Sequence, residues 1–193
     1  MSKDCQAVIR VENLTKSYGG FRALCGIGFE VQRGEIFGFI GPNGAGKTTA
    51  IRCMLDLIRP SSGLLRVVGR NPQQQPVAVR ERCGYLPGEL RFDENITVNT
   101  ALGFFRQLRG GGSACRRRAD QLSDRLELNP VVKIKNLSKG NKQKIGIVAA
   151  FMHEPELLLL DEPTSGLDPL VQQTVMDLVR EAQYGGATVF FSS

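Results

Sequence analysis

The sequence predicts an α/β fold, and three stretches carry that prediction. Glu35–Ile40 is a short apolar run followed at once by the glycine-rich GPNGAGKTT, Gly41–Thr49, and then by a helical pattern, Thr49–Ile58, that stops before Pro60. Glu156–Leu160 has the length and apolarity of a strand buried on both faces, and it ends in the acidic pair Asp161–Glu162. Nearer the start, Val8–Leu14 alternates apolar and polar residues and Phe21–Val31 holds a second strand-like run. With Glu35–Ile40 and Leu64–Val68 these predict an antiparallel sheet flanking the glycine-rich stretch.

The residues of that stretch fit G-x-x-x-x-G-K-[ST], a loop that cradles phosphates. Gly41, Gly44 and Gly46 allow a tight turn whose successive N–H groups face an anion. Lys47 brings a point charge to the β- and γ-phosphates, and the Thr48 hydroxyl can ligate Mg²⁺. A helix beginning here adds the positive end of its dipole. Strand, glycine loop and helix in that order point to a nucleotide site.

Along the rest of the chain, Tyr18 sits on a turn beside Gly19–Gly20, where it is either an ordinary surface residue or a ring to stack on adenine. Cys83–Leu86 is a short strand leading into Pro87-Gly88-Glu89. From the N-cap candidate Thr97, a helical stripe runs through Val98, Ala101, Leu102, Phe105 and Leu108. Gly110–Ser113 is a flexible loop. A second stripe, Cys115, Ala119, Leu122 and Leu126, closes at Asn129–Pro130. Ser138 caps the buried helix Ile145–Met152. Asp168, followed by Pro169, starts another helix whose inner stripe is Val171, Val175, Leu178 and Ala182. Ala187–Phe191 is a final strand.

Asp161 and Glu162 stand at the carboxyl end of a buried strand, the edge at which open α/β sheets bind ligands. Asp161 suits holding Mg²⁺ through water, and Glu162 suits polarising an attacking water. His153, the single histidine, precedes that strand, so about five residues of strand put it on the order of 15 Å from the carboxylates and assign it a structural role.

Composition sets outer limits. The 193 residues, 41% hydrophobic and 23% charged, match an ordinary globular balance with room for one core and an inserted subdomain. The longest apolar run, Ile145–Met152, is too short to cross a bilayer, and Met1–Arg10 has no signal-peptide segment, so a cytoplasmic location is expected. Cys5, Cys25, Cys53, Cys83 and Cys115 are too widely spaced for a disulfide framework or zinc site and read as free thiols. The net charge of +6 suits ATP, anionic lipid or nucleic acid alike, and Arg116–Arg118 reads as a solvated helix face.

Taken together these residues resemble the ATP-binding domain of ABC transporters over essentially the whole chain. GPNGAGKTT resembles the Walker A loop, with Pro42, Asn43, Ala45 and Thr49 among its nucleotide-contacting positions, and LLLLDEP (Leu157–Pro163) the Walker B strand. LSKGN (Leu137–Asn141) resembles the signature and SGLD (Ser165–Asp168) the D-loop, while Tyr18 matches the adenine-stacking aromatic. GYLPG and DEPTSGLDP look most like bacterial exporters whose ATPase and membrane subunits are separate chains.

The resemblance implies a RecA-like α/β P-loop core with an antiparallel β subdomain (residues 1–87 and 153–193) and an inserted helical subdomain (88–152). It implies ATP and Mg²⁺ as ligands, a transmembrane permease subunit as partner, and a position at the inner face of the membrane through that subunit. It also implies a head-to-tail dimer with a second ATP-binding subunit, in which Ser138, Lys139, Gly140 and Asn141 face the partner's nucleotide; no nucleic-acid partner is expected. The alternative is a soluble ABC ATPase acting on nucleic acid, ribosomes or cofactor assembly. Glu162 argues against a module that binds ATP without turnover.

Three departures from the family pattern stand out. Lys139 replaces a glycine and Asn141 a glutamine in the signature. Gly88 occupies the position of the usual Q-loop glutamine, with Glu89 beside it as the candidate metal contact. The histidine that follows the last strand in the family is absent, from which a fragment lacking that histidine is expected.

Overall fold

A computed structural model describes residues 7–193. Cys5 lies outside the described residues. Two sheets form the frame. The first is antiparallel, from β1 (Ile9–Tyr18), β2 (Phe21–Val31) and β4 (Ser62–Val67) in the order β2-β1-β4. The second is parallel, from β3 (Ile36–Phe39), β5 (Cys83–Leu86), β6 (Leu157–Asp161) and β7 (Thr188–Ser192) in the order β3-β7-β6-β5.

The sheet assignment of β3 departs from the expectation. Instead of joining the antiparallel sheet, Ile36–Phe39 pairs in parallel with β7, from Ile36 opposite Val189 to Phe39 opposite Ser192. Aromatic packing locks this choice. Phe37 and Phe39 lie within 5.5 Å of Phe190, and all three rings lie within 5.8 Å of Phe29 on β2. β3 thus touches the antiparallel sheet through side chains and the parallel one through hydrogen bonds.

Strand β6 shows why its apolar run is continuous. Leu157 and Leu159 face a core shared with β1, β2, β4 and α1 (Lys47–Met54); Leu158 and Leu160 face the other core. Alternate residues of a strand point to opposite faces, so a strand covered on both sides has no polar position to spare. The second core gathers α3 (Val98–Leu108), α4 (Ser113–Arg125), α5 (Lys139–Phe151) and α6 (Pro169–Tyr184).

The caps read from sequence are present. Thr97, Ser138 and Asp168 each accept a hydrogen bond from the backbone N–H three residues on, at 3.2, 3.2 and 3.0 Å. A short helix, α2 (Pro76–Glu81), was not foreseen; at six residues it is too short to show a helical repeat. Leu108, expected on the inner stripe, ends α3 exposed at the turn into Arg109. α4 ends at Arg125, short of Asn129–Pro130. Arg118 leaves the solvated face expected of it: it is half-buried and reaches Glu154 at 3.9 Å.

Cys25, Cys53, Cys83 and Cys115 are free thiols. Burial pushes Cys53 up to about 11 and Cys83 up to about 12, so both stay protonated at neutral pH.

Candidate nucleotide site

The glycine loop connects β3 to α1. Gly46 caps the helix at φ 90°, in the left-handed region, and a Cβ on it would stand 2.4 Å from the Ala23 carbonyl oxygen. Only glycine meets both conditions. No side chain caps α1 and no acidic residue occupies its first turn, so its leading N–H groups are left for a ligand.

Lys47 is 6% exposed, and its Nζ donates to the carbonyl oxygens of Gly41 at 2.6 Å and Pro42 at 3.2 Å. The loop thus takes two of the three ammonium N–H donors and holds the group beside the open backbone N–H groups. Carbonyl partners carry no opposing net charge, so attraction for an anion is not cancelled within the loop.

Two cavities meet at this loop. One, of about 250 Å³, is lined by Tyr18, Phe21, Ala23, Asn43, Gly44, Gly46, Lys47, Thr48, Thr49 and Glu162. The other, of about 360 Å³, is lined by Thr48, Arg52, Gly88, Glu89, Lys139, Asp161, Glu162 and Ser165. Thr48 and Glu162 belong to both, so the aromatic end and the carboxylate end form one continuous cleft.

Asp161 is 1% exposed. Its Oδ1 accepts from Ser192 Oγ at 2.6 Å, while Oδ2 is buried without a partner. Gly88 lies against that oxygen, where a Cβ would come within 3.3 Å. A buried carboxylate oxygen facing a polar cavity with nothing to accept from fits a hydrated cation. Glu162 takes a left-handed backbone, φ 49°, unusual for a side chain of its size. Its N–H donates to the Ser192 carbonyl oxygen and its own carbonyl oxygen accepts from Gln143 Nε2 at 3.4 Å, which hold that turn.

Of the residues expected at the site, Tyr18, Asn43, Gly44, Gly46, Lys47, Thr48, Thr49, Glu89, Asp161 and Glu162 converge on the cleft. Gly41, Pro42 and Ala45 build the loop behind it. Of the signature residues, Lys139 alone reaches the cleft; Ser138 accepts as a cap and keeps its O–H donor, and Gly140 packs so close to the Gly166 carbonyl oxygen that a Cβ would stand 2.7 Å away. Phe21, Arg52 and Gln143 were missed. Arg52 is four residues after Thr48, one helical turn on, and that spacing was there to be read. Phe21 follows the glycine turn after Tyr18, so the hairpin places both aromatics at one rim.

Burial, joined by the charge of Asp161, pushes the Tyr85 phenol up, with Arg52 opposing. His153 is set apart from this chemistry: its Nε2 lies 3.2 Å from the Cys83 carbonyl oxygen, and burial together with Arg109 pushes it down to about 4. It is a neutral, structural histidine at physiological pH.

A family model described as ABC transporter matches residues 24–165, well over half of the chain. The chain is 38% identical over 188 residues to the daunorubicin resistance ATP-binding protein DrrA3 of Streptomyces coeruleorubidus, covering 96% of this chain and 60% of that protein. It is 38% identical over 189 residues to the bacitracin transport ATP-binding protein BcrA of Enterococcus faecalis, covering 96% and 61%. The chain thus spans about three fifths of the length of these relatives. A solved structure described as the ATP binding subunit of an ABC transporter matches with a TM-score of 0.88 at 32% identity, covering 96% of this chain and 79% of that one. The glycine loop, the paired carboxylates and a likeness that runs almost end to end lead to one assignment: the chain belongs to the ABC transporter family, among its ATP-binding proteins.

Proposed function

We propose that the chain binds ATP with Mg²⁺ and hydrolyses it to power a separate transmembrane subunit. The observation that carries this reading is the cleft shared by Lys47, Thr48 and Glu162, with the unpartnered Asp161 Oδ2 at its far end. The α1 N–H groups and Lys47 hold the phosphates, Tyr18 stacks on the base, and Thr49 lies beside them. Thr48, Asp161 and Glu89 would hold Mg²⁺, which when bound neutralises phosphate charge. Glu162 accepts a proton from the attacking water. The new P–O bond forms at the γ-phosphorus as the bond to the bridging oxygen breaks and ADP leaves with the electron pair.

Helices α3–α5 form the inserted helical subdomain of this reading, residues 88–152, between the two parts of the core at 1–87 and 153–193. Ser138, Lys139, Gly140 and Asn141 open α5 and are offered to the nucleotide of a second ATP-binding subunit in a head-to-tail dimer. The relatives' names, a drug-resistance protein and a bacitracin transport protein, support an exporter with a membrane partner. Among the described residues no helix is long and apolar enough to cross a membrane, which fits a subunit held at the cytoplasmic face by that partner.

The test uses the full-length protein with its membrane subunit in lipid vesicles. Phosphate release that requires Mg²⁺ and ATP and is raised by the membrane subunit supports the reading; ATP hydrolysis indifferent to that subunit, with tight salt-sensitive binding to nucleic acid, overturns the transport part of it.

A further inference from the structure

Lys139 opens α5 as an exposed residue, yet it lines the carboxylate cavity together with Glu89, Asp161, Glu162 and Ser165. Its aliphatic stem is laid across Gly166. A Cβ on that glycine would stand 3.5 Å from Lys139 Cδ, 3.7 Å from Cγ and 3.8 Å from Cε, a continuous contact that steers the side chain along the D-loop. Lys142, one turn on, is tied to Glu94 at 2.9 Å, whereas Lys139 has no salt-bridge partner among the described residues. The same cavity contains the one carboxylate oxygen of the site that is buried without a partner, Asp161 Oδ2, and Gly88 leaves open the volume beside it.

We infer that Lys139 is an internal counter-cation for its own chain's carboxylate cavity and competes there with the divalent metal. The inference rests on the magnesium-nucleotide reading of the cleft and adds an intramolecular role to a residue whose proposed contact is with a second subunit. Three carboxylates, Glu89, Asp161 and Glu162, face this cavity against two cations, Arg52 and Lys139. Arg52 stands on α1 and Lys139 on α5, and the flexible four-carbon stem of Lys139 lets its charge withdraw when a metal enters. Positive charge at the rim lowers the local concentration of a divalent cation, and it does so less as salt screens it.

The experiment measures Mn²⁺ binding by electron paramagnetic resonance on the full-length protein with a non-hydrolysable ATP analogue, at concentrations that keep it monomeric. Lys139→Met keeps the stem and removes the charge; Lys139→Arg keeps both. The inference expects Lys139→Met to bind Mn²⁺ about fivefold more tightly at low ionic strength, with the gain shrinking in about 0.5 M salt, and Lys139→Arg to match wild type. Affinity for the analogue in EDTA should be no higher in Lys139→Met than in wild type, since the charge that repels a cation does not repel the anionic nucleotide. Equal Mn²⁺ affinity of Lys139→Met and wild type at low salt overturns the inference. Asp161→Asn separates the two levels: if it binds Mn²⁺ as wild type does, the metal reading of the cavity fails whatever Lys139 does.

Discussion

Ser192 Oγ donates to Asp161 Oδ1 at 2.6 Å across the parallel pair β6–β7, where the two residues sit directly in register. Both are essentially buried, so this bond holds the carboxylate in one orientation and turns its other oxygen into the cleft. Ser192→Ala removes the donor and leaves a second buried carboxylate oxygen unpaired. A loss of about 1–3 kcal/mol in unfolding free energy is expected by urea titration. An unchanged midpoint would mean that water replaces the hydroxyl.

Lys47→Ala removes the ammonium from the phosphate loop while leaving the Gly46 turn intact. Titration with a fluorescent ATP analogue should show affinity reduced about tenfold or more. Equal affinities would place the nucleotide elsewhere.

Glu162 acts on water and not on the bound phosphates. In the full-length protein Glu162→Gln should retain nucleotide binding and lose at least about 100-fold in turnover. Gln accepts the same left-handed backbone to the same degree, so the fold is kept. Turnover within about tenfold of wild type would remove Glu162 from the role of general base.

His153 makes stability depend on pH. Its folded-state value is pushed down to about 4 by burial and by Arg109, while the unfolded chain binds the proton near 6.5. Between these values the unfolded state binds more protons, so stability falls as pH drops from 6.5 toward 4. The loss should be on the order of 2 kcal/mol, allowing for partial solvent access. His153→Gln should show a flatter profile in that window; a profile identical to wild type would assign the acid sensitivity to other groups.

Local chemistry was legible in the amino-acid order. The glycine loop, the caps at Thr97, Ser138 and Asp168, and the carboxylates after Leu157–Leu160 depend on residues within a few positions of one another. Periodicity reports whether a segment is buried and on how many faces, and it did so for β6 and for most of α3, α4 and α6. The family resemblance, carried by motifs of this local kind, held as well.

Strand partners and the meeting of distant side chains were decided only by the tertiary structure. A short apolar strand such as Ile36–Phe39 satisfies its backbone equally in either sheet; the stack of Phe29, Phe37, Phe39 and Phe190 settles which one hydrogen-bonds to it. The Asp161–Ser192 bond joins residues 31 positions apart, and nothing near either residue announces the other. Lys139 reads from sequence as a contact for a second subunit, and its place in its own chain's cavity follows from the stem lying on Gly166. Such contacts depend on how sheets and helices stack, and local spacing along the chain does not encode that stacking.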